Sequence, residues 1–288
     1  MRADAFAKVN LSLHVGAIAR GGLHDVRGLF LSVDWRDSLS LELAEADEIT
    51  GREGSAVIDD WGNLAWRAAS IVREEARSSR QMRLELHKRI PVAAGLGGGS
   101  ADAAAALGLA GDIFSIGPAD LAPLAPALGS DVPFCFSGGL AMVAGTGERV
   151  DELEPASGFA LALVVPPVEI STKEVFEAWD RLDGPSGPPM SERDLPPSLR
   201  EHGPLANNLY AAAAAVAPDI DEWRAELSRR WGRPVALTGS GATLFAYFVD
   251  VAEAADALSD VPIGARATKA AVPTDRGWRL VAGVESDV

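Results

Sequence analysis

Four glycines lie close together in the segment 91–101, which reads Pro-Val-Ala-Ala-Gly-Leu-Gly-Gly-Gly-Ser-Ala. Glycine adopts positive φ and carries no side chain, so the backbone N–H groups of such a loop can turn toward a bound anion. The run of small residues over 102–110 is typical of a helix, whose N-terminus would add its dipole and free amides at the same place. These residue types predict a phosphate-binding loop.

Two common phosphate-binding loops do not fit this segment. A Walker loop requires a lysine directly after its last glycine, and the segment contains no lysine. A dinucleotide-binding loop requires glycine at the sixth position counted from Gly95, where Ser100 stands, and an acidic residue at the end of the next strand. A flexible linker would explain the glycines, but not the proline before them or the helix predicted after them.

Polar residues near the N-terminus share one face of a predicted strand. Residues 6–15 alternate in part between apolar and polar side chains, which is typical of a strand with one polar face. Lys8, Asn10, Ser12 and His14 then point the same way. On alternation alone, a solvent-facing surface is the simpler interpretation of that face.

Asp131 lies between a Gly-Ser turn and a proline. In that setting an aspartate commonly caps a helix or begins an Asx turn. A carboxylate also suits a kinase that acts on an alcohol, because it can accept the hydroxyl proton during phosphoryl transfer. The residues alone leave both interpretations open.

Three motifs resemble those of the GHMP kinases, a superfamily of small-molecule kinases, and occur in the same order. They are Ala7-Lys-Val-Asn-Leu11, Pro91 to Ser100, and Leu237-Thr-Gly-Ser-Gly-Ala-Thr243. The resemblance implies an α+β fold of two domains, a ribosomal-S5-like N-terminal domain over 1–156 and a ferredoxin-like C-terminal domain over 157–288. It further implies that ATP and Mg²⁺ bind with the substrate in the cleft between the domains.

The same resemblance implies roles for individual residues. Lys8 and Asp131 form the catalytic pair, in which the lysine holds the aspartate ionised and polarises the attacking oxygen. The nucleotide is held by loop residues Pro91, Val92, Ala93, Ala94, Gly95, Leu96, Gly97, Gly98, Gly99, Ser100 and Ala101. The substrate is held by Asn10, His24, Phe176, Gly239, Ser240 and Gly241. No residue is assigned as a metal ligand.

Two further segments point to one group within the superfamily, Gly22-Leu-His24 and Gly129 to Phe134. They look most like the corresponding segments of the members that phosphorylate the 2-hydroxyl of a cytidine diphosphate conjugate of methylerythritol. In those kinases a histidine contacts cytosine and an aromatic residue stacks on it, and Phe176 matches the second position. Leu23 and Asn208 depart from the pattern, which has an aromatic residue and an acid there. A GHMP kinase for another small alcohol, or a non-catalytic nucleotide-binding sensor, therefore stays open, although the retained catalytic pair argues against the sensor.

Composition bounds the class of protein. The chain has 288 residues, of which 48% are hydrophobic and 23% charged, values typical of a globular protein. A formal net charge of −15 opposes binding to nucleic acid or to an anionic membrane. The single cysteine, Cys135, cannot form an internal disulfide and lies in an apolar segment, so we expect a buried thiol and a reducing compartment. We expect a cytoplasmic protein with no membrane span or signal peptide, as a monomer or weak homodimer.

Apolar periodicity predicts the elements that must position these groups. We expect strands over 26–33, 38–43, 81–88, 140–144, 160–165, 235–238, 243–248, 264–271 and 278–281, with a turn at 34–37 and the last two strands in the second half. We expect helices over 65–76, 102–110, 118–128, 219–231 and 251–258, the first of them capped by Asn63. Two further helices are expected, one that begins after Ser171 or Thr172 as cap and an Ala-rich one that ends near Pro218. Segment 183–197, rich in glycine and proline, is predicted as a loop.

Overall fold

The computed structural model describes residues 1–19, 22–53, 56–57 and 61–281. The strands within this part are β1 (Arg2–Asn10), β2 (His14–Ile18), β3 (His24–Ala44), β4 (Glu48–Glu53), β5 (Ala56–Val57), β6 (Gln81–Lys88), β7 (Leu140–Gly145), β8 (Arg149–Glu152), β9 (Ala160–Val165), β10 (Ala236–Leu237), β11 (Leu244–Phe248), β12 (Ala267–Ala271) and β13 (Trp278–Val281). The α-helices are α1 (Leu64–Glu75), α2 (Gly98–Phe114), α3 (Pro118–Leu121), α4 (Val132–Ser137), α5 (Thr172–Arg181), α6 (Tyr210–Val216), α7 (Asp219–Trp231) and α8 (Val251–Leu258). Short 3₁₀ helices cover Ala122–Ala127, Glu192–Asp194 and Pro197–His202.

The long strand β3 organises the larger sheet, which contains nine of the described strands. Different stretches of β3 pair antiparallel with β1, β2, β6 and β7. Strand β6 also pairs in parallel with β4, and β7 pairs with β8. Strand β3 therefore connects the motif on β1 to β6, the strand that leads into the glycine loop.

The turn predicted at 34–37 is wrong, because these residues form an irregularity within β3. The register with β1 shifts between Phe6 and Ala7, as expected for a β-bulge, which bends a strand without ending it. The polar side chains that suggested a turn bind distant backbone instead. Asp34 accepts from the N–H of Val272, and Asp37 accepts from the N–H of Ile90.

The strand predicted over 6–15 is divided in two. Lys8 and Asn10 are buried on β1, and their side chains meet, so they share a face as predicted. The chain then bends, and His14 is exposed at the start of β2. The predicted polar face therefore does not reach His14.

Several predicted helices and strands are confirmed, because their apolar periodicity is regular. The bounds of β6, β9, β13, α7 and α8 are those predicted, and α1 begins after Asn63, whose Oδ1 accepts from the N–H of Ala65 at 2.9 Å. Helix α2 is longer than predicted and begins inside the glycine loop. The predicted helix 118–128 is divided into α3 and a 3₁₀ turn, because Pro123 and Pro126 lack the N–H groups that an α-helix needs. Cys135 is buried as predicted, and burial raises the pKa of its thiol.

The smaller sheet contains four described strands in the antiparallel order β10-β11-β9-β12. Strand β13 was predicted to complete this half, but it pairs with β1 of the larger sheet, with Trp278 opposite Ala5. The Trp278 ring lies so close to Gly108 of α2 that an added Cβ there would meet it at 2.1 Å. The boundary near residue 156 stays a prediction. No helix of the described residues is long and apolar enough to cross a membrane.

Tyr247 carries a buried hydroxyl that has no hydrogen-bond partner among the described residues. Its ring packs edge-on against Phe159 and Phe245, and burial raises the pKa of its hydroxyl. A buried polar group without a partner destabilises a fold by roughly 1–3 kcal/mol. We therefore expect Tyr247→Phe to raise the free energy of unfolding by about 1 kcal/mol in urea denaturation.

The matched control for Tyr247→Phe is Tyr210→Phe. The Tyr210 hydroxyl donates to Asp221 and accepts from Arg224, so its loss should lower the free energy of unfolding by about 1 kcal/mol. Equal destabilisation by both substitutions would show that the Tyr247 hydroxyl has a favourable partner, which contradicts the prediction.

Candidate active site

All but two of the residues selected from sequence line one cleft of about 1080 Å³. The cleft is lined by the catalytic pair, by the loop from Pro91 to Ser100, and by Asn10, His24, Phe176, Gly239 and Ser240. Ala101 and Gly241, the remaining predicted site residues, do not line it. Strand β1, the start of α2, the start of α4 and the turn after β10 therefore contribute to the same site.

The glycine loop has the geometry expected of an anion-binding loop. Gly95 and Gly97 adopt φ of +76° and +67°, a region that side chains disfavour. An added Cβ at Gly95 would lie 2.6 Å from the Gly241 carbonyl oxygen, and one at Gly97 would lie 2.7 Å from Cγ of Lys8. Helix α2 begins after Gly97 without a side-chain cap among the described residues, and its first residues, Gly98 to Ser100, line the cleft. The first amides of a helix lack partners within the helix and suit a bound anion.

Lys8 and Asp131 lie side by side in the cleft. The Lys8 Nζ is 3.3 Å from Oδ2 of Asp131 and donates to Oδ1 of Asn10 at 2.6 Å. It also lies 5.6 Å from the centre of the Phe30 ring, a favourable position for a cation. The Lys8 side chain is 6% exposed, whereas that of Asp131 is 33% exposed and can reach a substrate.

The side chain of Asp131 does not cap α4, although the residue stands at the N-cap position of that helix. Within the described residues it makes no side-chain cap bond, and its carboxylate instead pairs with Lys8. Asp131 thus occupies the N-cap position through its backbone, whose carbonyl oxygen accepts from the N–H of Cys135 at 3.0 Å, while its side chain is directed to Lys8. A carboxylate beside a lysine can accept a proton from an alcohol while the cation stabilises the developing charge.

The turn after β10 is fixed by Asn207, which sequence reasoning missed. Its Nδ2 donates to the carbonyl oxygens of Leu237 and Gly239 at 2.9 and 2.8 Å, and its Oδ1 accepts from the N–H of Leu209. Because every polar atom of this buried amide is used, the turn has one well-defined position. The only signal in the sequence was the position of Asn207 directly before Asn208, which departs from the family pattern.

Two threonines join this turn to the N-terminal motifs. Thr238 Oγ1 accepts from the N–H of Asn10 at 2.8 Å, and Thr243 Oγ1 donates to the carbonyl oxygen of Ala94 at 2.6 Å. The second and third motifs of the sequence therefore contact each other directly. Their glycines are needed for this approach, because side chains at Gly95 would clash with the turn.

At the far end of the cleft, His24 and Phe176 stack on each other. Their ring centres are 5.2 Å apart with an interplanar angle of 25°, and Trp179 contacts the His24 ring edge-on at 5.5 Å. A base between two rings needs a separation of about 7 Å, twice an ordinary contact distance. The rings contact each other in this arrangement, and the roles of His24 and Phe176 in holding the substrate stay predictions. Sequence reasoning missed Trp179.

A buried ionic cluster lies between strand β6, the glycine loop and helix α2. Lys88, the last residue of β6, donates to both Asp37 and Asp102, and all three side chains are buried. Asp37 also accepts from the backbone N–H groups of Arg89 and Ile90. The cluster thus joins the entrance of the loop to the second turn of α2. Sequence reasoning missed it, and its only signal was a lysine three residues before the loop.

Asp102 should make stability depend on pH. Burial raises the pKa of its carboxyl to about 7, against the lowering effect of Lys88. The unfolded chain releases this proton near pH 4, so the folded state loses stability as the pH rises from about 4 to 7. We expect the free energy of unfolding of Asp102→Asn, measured relative to wild type in urea, to increase between pH 5 and pH 8.

The control for this prediction is Asp112→Asn, which removes an exposed carboxylate from the same helix. Its free energy of unfolding should follow that of wild type at every pH. Parallel curves for Asp102→Asn and wild type would contradict the assignment of a raised pKa to Asp102.

Comparison with known proteins defines the class. A family model described as the GHMP kinases N terminal domain matches residues 63–139, which include the glycine loop and Asp131. A crystal structure of homoserine kinase from Cytophaga hutchinsonii shares the fold, with a TM-score of 0.69 over 98% of this chain and 97% of that chain, at 16% identity. The α+β, two-domain GHMP kinase fold implied by the motifs is thus confirmed.

Closer relatives define the family. A 4-diphosphocytidyl-2-C-methyl-D-erythritol kinase of Mesorhizobium japonicum is 36% identical over 251 residues, covering 85% of each chain. The enzyme of that name from Corynebacterium efficiens is 35% identical and covers 99% of each chain. A crystal structure of 4-(cytidine 5'-diphospho)-2C-methyl-D-erythritol kinase superposes with a TM-score of 0.76 at 31% identity, over 94% of this chain and 98% of that chain. The chain belongs to this family of GHMP kinases.

Proposed function

We propose that this chain transfers the γ-phosphoryl group of ATP to the 2-hydroxyl of 4-diphosphocytidyl-2-C-methyl-D-erythritol, in the non-mevalonate route to isoprenoids. The observation that supports this reaction best is the pair of Lys8 and Asp131 in the same cleft as the glycine loop. Membership of the family supplies the substrate.

In the proposed reaction the substrate hydroxyl lies beside Asp131. Its oxygen attacks the γ-phosphorus, its proton passes to the Asp131 carboxylate, and the bond to the β-phosphate oxygen breaks to release ADP. The ammonium of Lys8 stabilises the negative charge that develops on the attacking oxygen. Asn10 keeps that ammonium in place, because it accepts a hydrogen bond from it at 2.6 Å.

The phosphates of ATP are held by the glycine loop and the start of α2. Backbone N–H groups and the helix dipole favour anions there, although the whole chain carries a net charge of −15. Mg²⁺ suits this site, because it binds through phosphate oxygens with only one or two protein oxygens, and the Ser100 hydroxyl on the first turn of α2 is one such donor. When bound, Mg²⁺ neutralises phosphate charge.

The proposal is tested with a panel of acceptor alcohols in a coupled assay of ADP release. The panel contains the cytidyl conjugate, 2-C-methylerythritol without the nucleotide, homoserine and mevalonate. We expect kcat/KM for the cytidyl conjugate to exceed all others by at least two orders of magnitude, since remote contacts contribute to transition-state binding. A higher kcat/KM for another alcohol would instead assign a different substrate. Leu23, which is exposed and lines the cleft beside His24 where the family pattern has an aromatic residue, would then be a reason for the difference.

A further inference from the structure

The turn between β7 and β8 lies beside the segment that carries the proposed base. It covers residues 145–148, and neither the sequence motifs nor the proposed reaction has a use for it. Thr146, inside the turn, lines the cleft together with Ser130 and Asp131. The turn therefore reaches the active site, although it also connects two strands.

The Glu148 carboxylate closes this turn. Its Oε2 accepts from the backbone N–H and from the hydroxyl of Thr146, at 2.6 and 2.9 Å. A hydrogen bond from its own backbone N–H, together with those from Thr146, holds the pKa of the Glu148 carboxyl below its usual range. Hydrogen bonds to a charged acceptor are stronger than neutral ones, so this carboxylate fixes the conformation of the turn.

Gly145 makes room for that carboxylate. Its φ is +75°, and an added Cβ would lie 2.1 Å from Oε1 of Glu148. A side chain at this position would displace the carboxylate from the turn. Although the Glu148 side chain is 43% exposed, it therefore has a defined place over the turn.

Gly147 brings the turn against the segment of the proposed base. It adopts φ of +109°, and an added Cβ would lie 2.1 Å from the carbonyl oxygen of Ser130 and 3.0 Å from its Cα. The two backbones are thus in direct contact, without room for a side chain between them. A connection between two strands does not require this contact. Because Ser130 directly precedes Asp131, a displaced turn would also displace the Asp131 backbone.

The Asp131 carboxylate is sensitive to such a displacement. Its Oδ2 lies 3.3 Å from Nζ of Lys8, and Lys8 is itself held by a hydrogen bond to Asn10. The separation of the pair therefore depends on the backbone of Ser130 and Asp131. A misplacement of about 1 Å in an active site can cost about 10²-fold in rate.

We infer that Glu148 is a positioning residue for Asp131: it fixes the turn whose Gly147 holds Ser130, and so keeps the Asp131 carboxylate beside Lys8. This inference rests on the proposed function, in which Asp131 is the base. Glu148 does not line the cleft, so it acts on the reaction only through Asp131. Its loss should lower kcat and leave the binding of ATP unchanged.

The test measures kcat and the KM for ATP with the cytidyl conjugate as acceptor. Glu148→Ala should lower kcat by about tenfold, while the KM for ATP stays within about twofold of wild type. Glu148→Gln keeps one oxygen that can accept from Thr146, so its kcat should lie between those of Glu148→Ala and wild type. The control Glu152→Ala removes an exposed carboxylate from β8 outside the cleft and should keep the wild-type kcat.

The decisive comparison combines Glu148→Ala with Asp131→Asn. Once the base is removed, its position no longer affects the rate, so the double variant should have the kcat of Asp131→Asn within about twofold. A purely structural role of Glu148 would lower kcat by the same factor in both backgrounds. Circular dichroism and Tm check that each variant folds, and Glu148→Gln is taken through the same cycle if Glu148→Ala does not.

The outcomes separate the inference from the proposed function. If wild type and Asp131→Asn behave as the proposed function requires but Glu148→Ala keeps the wild-type kcat, the inference is overturned and the proposed function stands. An equal loss for Glu152→Ala, or a further tenfold loss in the Asp131→Asn background, also overturns the inference alone. If wild type does not phosphorylate the cytidyl conjugate, the proposed function is overturned and the inference with it.

Discussion

Asp131→Asn should lower kcat by about 10³-fold, within the range of about 10²–10⁴ that general bases contribute. Asparagine has nearly the same shape but cannot accept the hydroxyl proton, so the chemical step loses its base. The glycine loop that holds ATP is unchanged, and the KM for ATP should stay within about twofold of the wild-type value. Steady-state ADP release, with ATP and the cytidyl conjugate varied in turn, measures both constants.

The control is Asp151→Asn, which removes an exposed carboxylate from β8 outside the cleft. Its kcat should equal that of wild type. A kcat for Asp131→Asn within threefold of wild type would remove the assignment of Asp131 as the base. A large rise in the KM for ATP with unchanged kcat would instead assign it to nucleotide binding.

Lys8→Met should lower kcat by about 10²–10³-fold, since a preorganised charge of this kind typically contributes that much to transition-state stabilisation. Methionine keeps much of the apolar stem that packs against Gly97, but it removes the cation beside Asp131. Because the pair acts as a unit, the kcat of the double variant Lys8→Met with Asp131→Asn should be only slightly lower than the kcat of the less active single variant. The measurement is kcat for the four proteins of this cycle.

The matched control is Lys269→Met. Lys269 forms a lysine–aspartate pair with Asp34 at 3.7 Å, more exposed than that of Lys8 and outside the cleft, so its loss should leave kcat unchanged. If the fold-losses in kcat of the two single variants multiplied in the double variant, Lys8 and Asp131 would act independently. That result would contradict their assignment as a pair.

Elements with regular local patterns could be predicted from the sequence. The helix α7 and the strand β9 have the predicted bounds because a continuous apolar stripe or run determines each one locally. The bulge in β3 could not be predicted, since Asp34 and Asp37 resemble turn residues until their distant backbone partners are known. The placement of β13 failed for a similar reason, because a four-residue strand does not indicate which sheet it joins.

The site was predictable only in part. The glycine loop follows from residue types, but the proximity of Lys8 to Asp131 came from the resemblance to a family, since nothing in the spacing brings residues so far apart together. The cluster around Lys88 was missed because it depends on the register between β3 and β6, which places Asp37 beside the start of the loop.

The most direct test of the central claim is a ³¹P NMR time course of the purified protein with ATP, Mg²⁺ and 4-diphosphocytidyl-2-C-methyl-D-erythritol. The account predicts that ADP and one new phosphomonoester, on the 2-hydroxyl, form in equal amounts, and that Asp131→Asn forms neither over the same period. Release of ADP without a phosphomonoester, phosphorylation at another hydroxyl, or undiminished product from Asp131→Asn would contradict it.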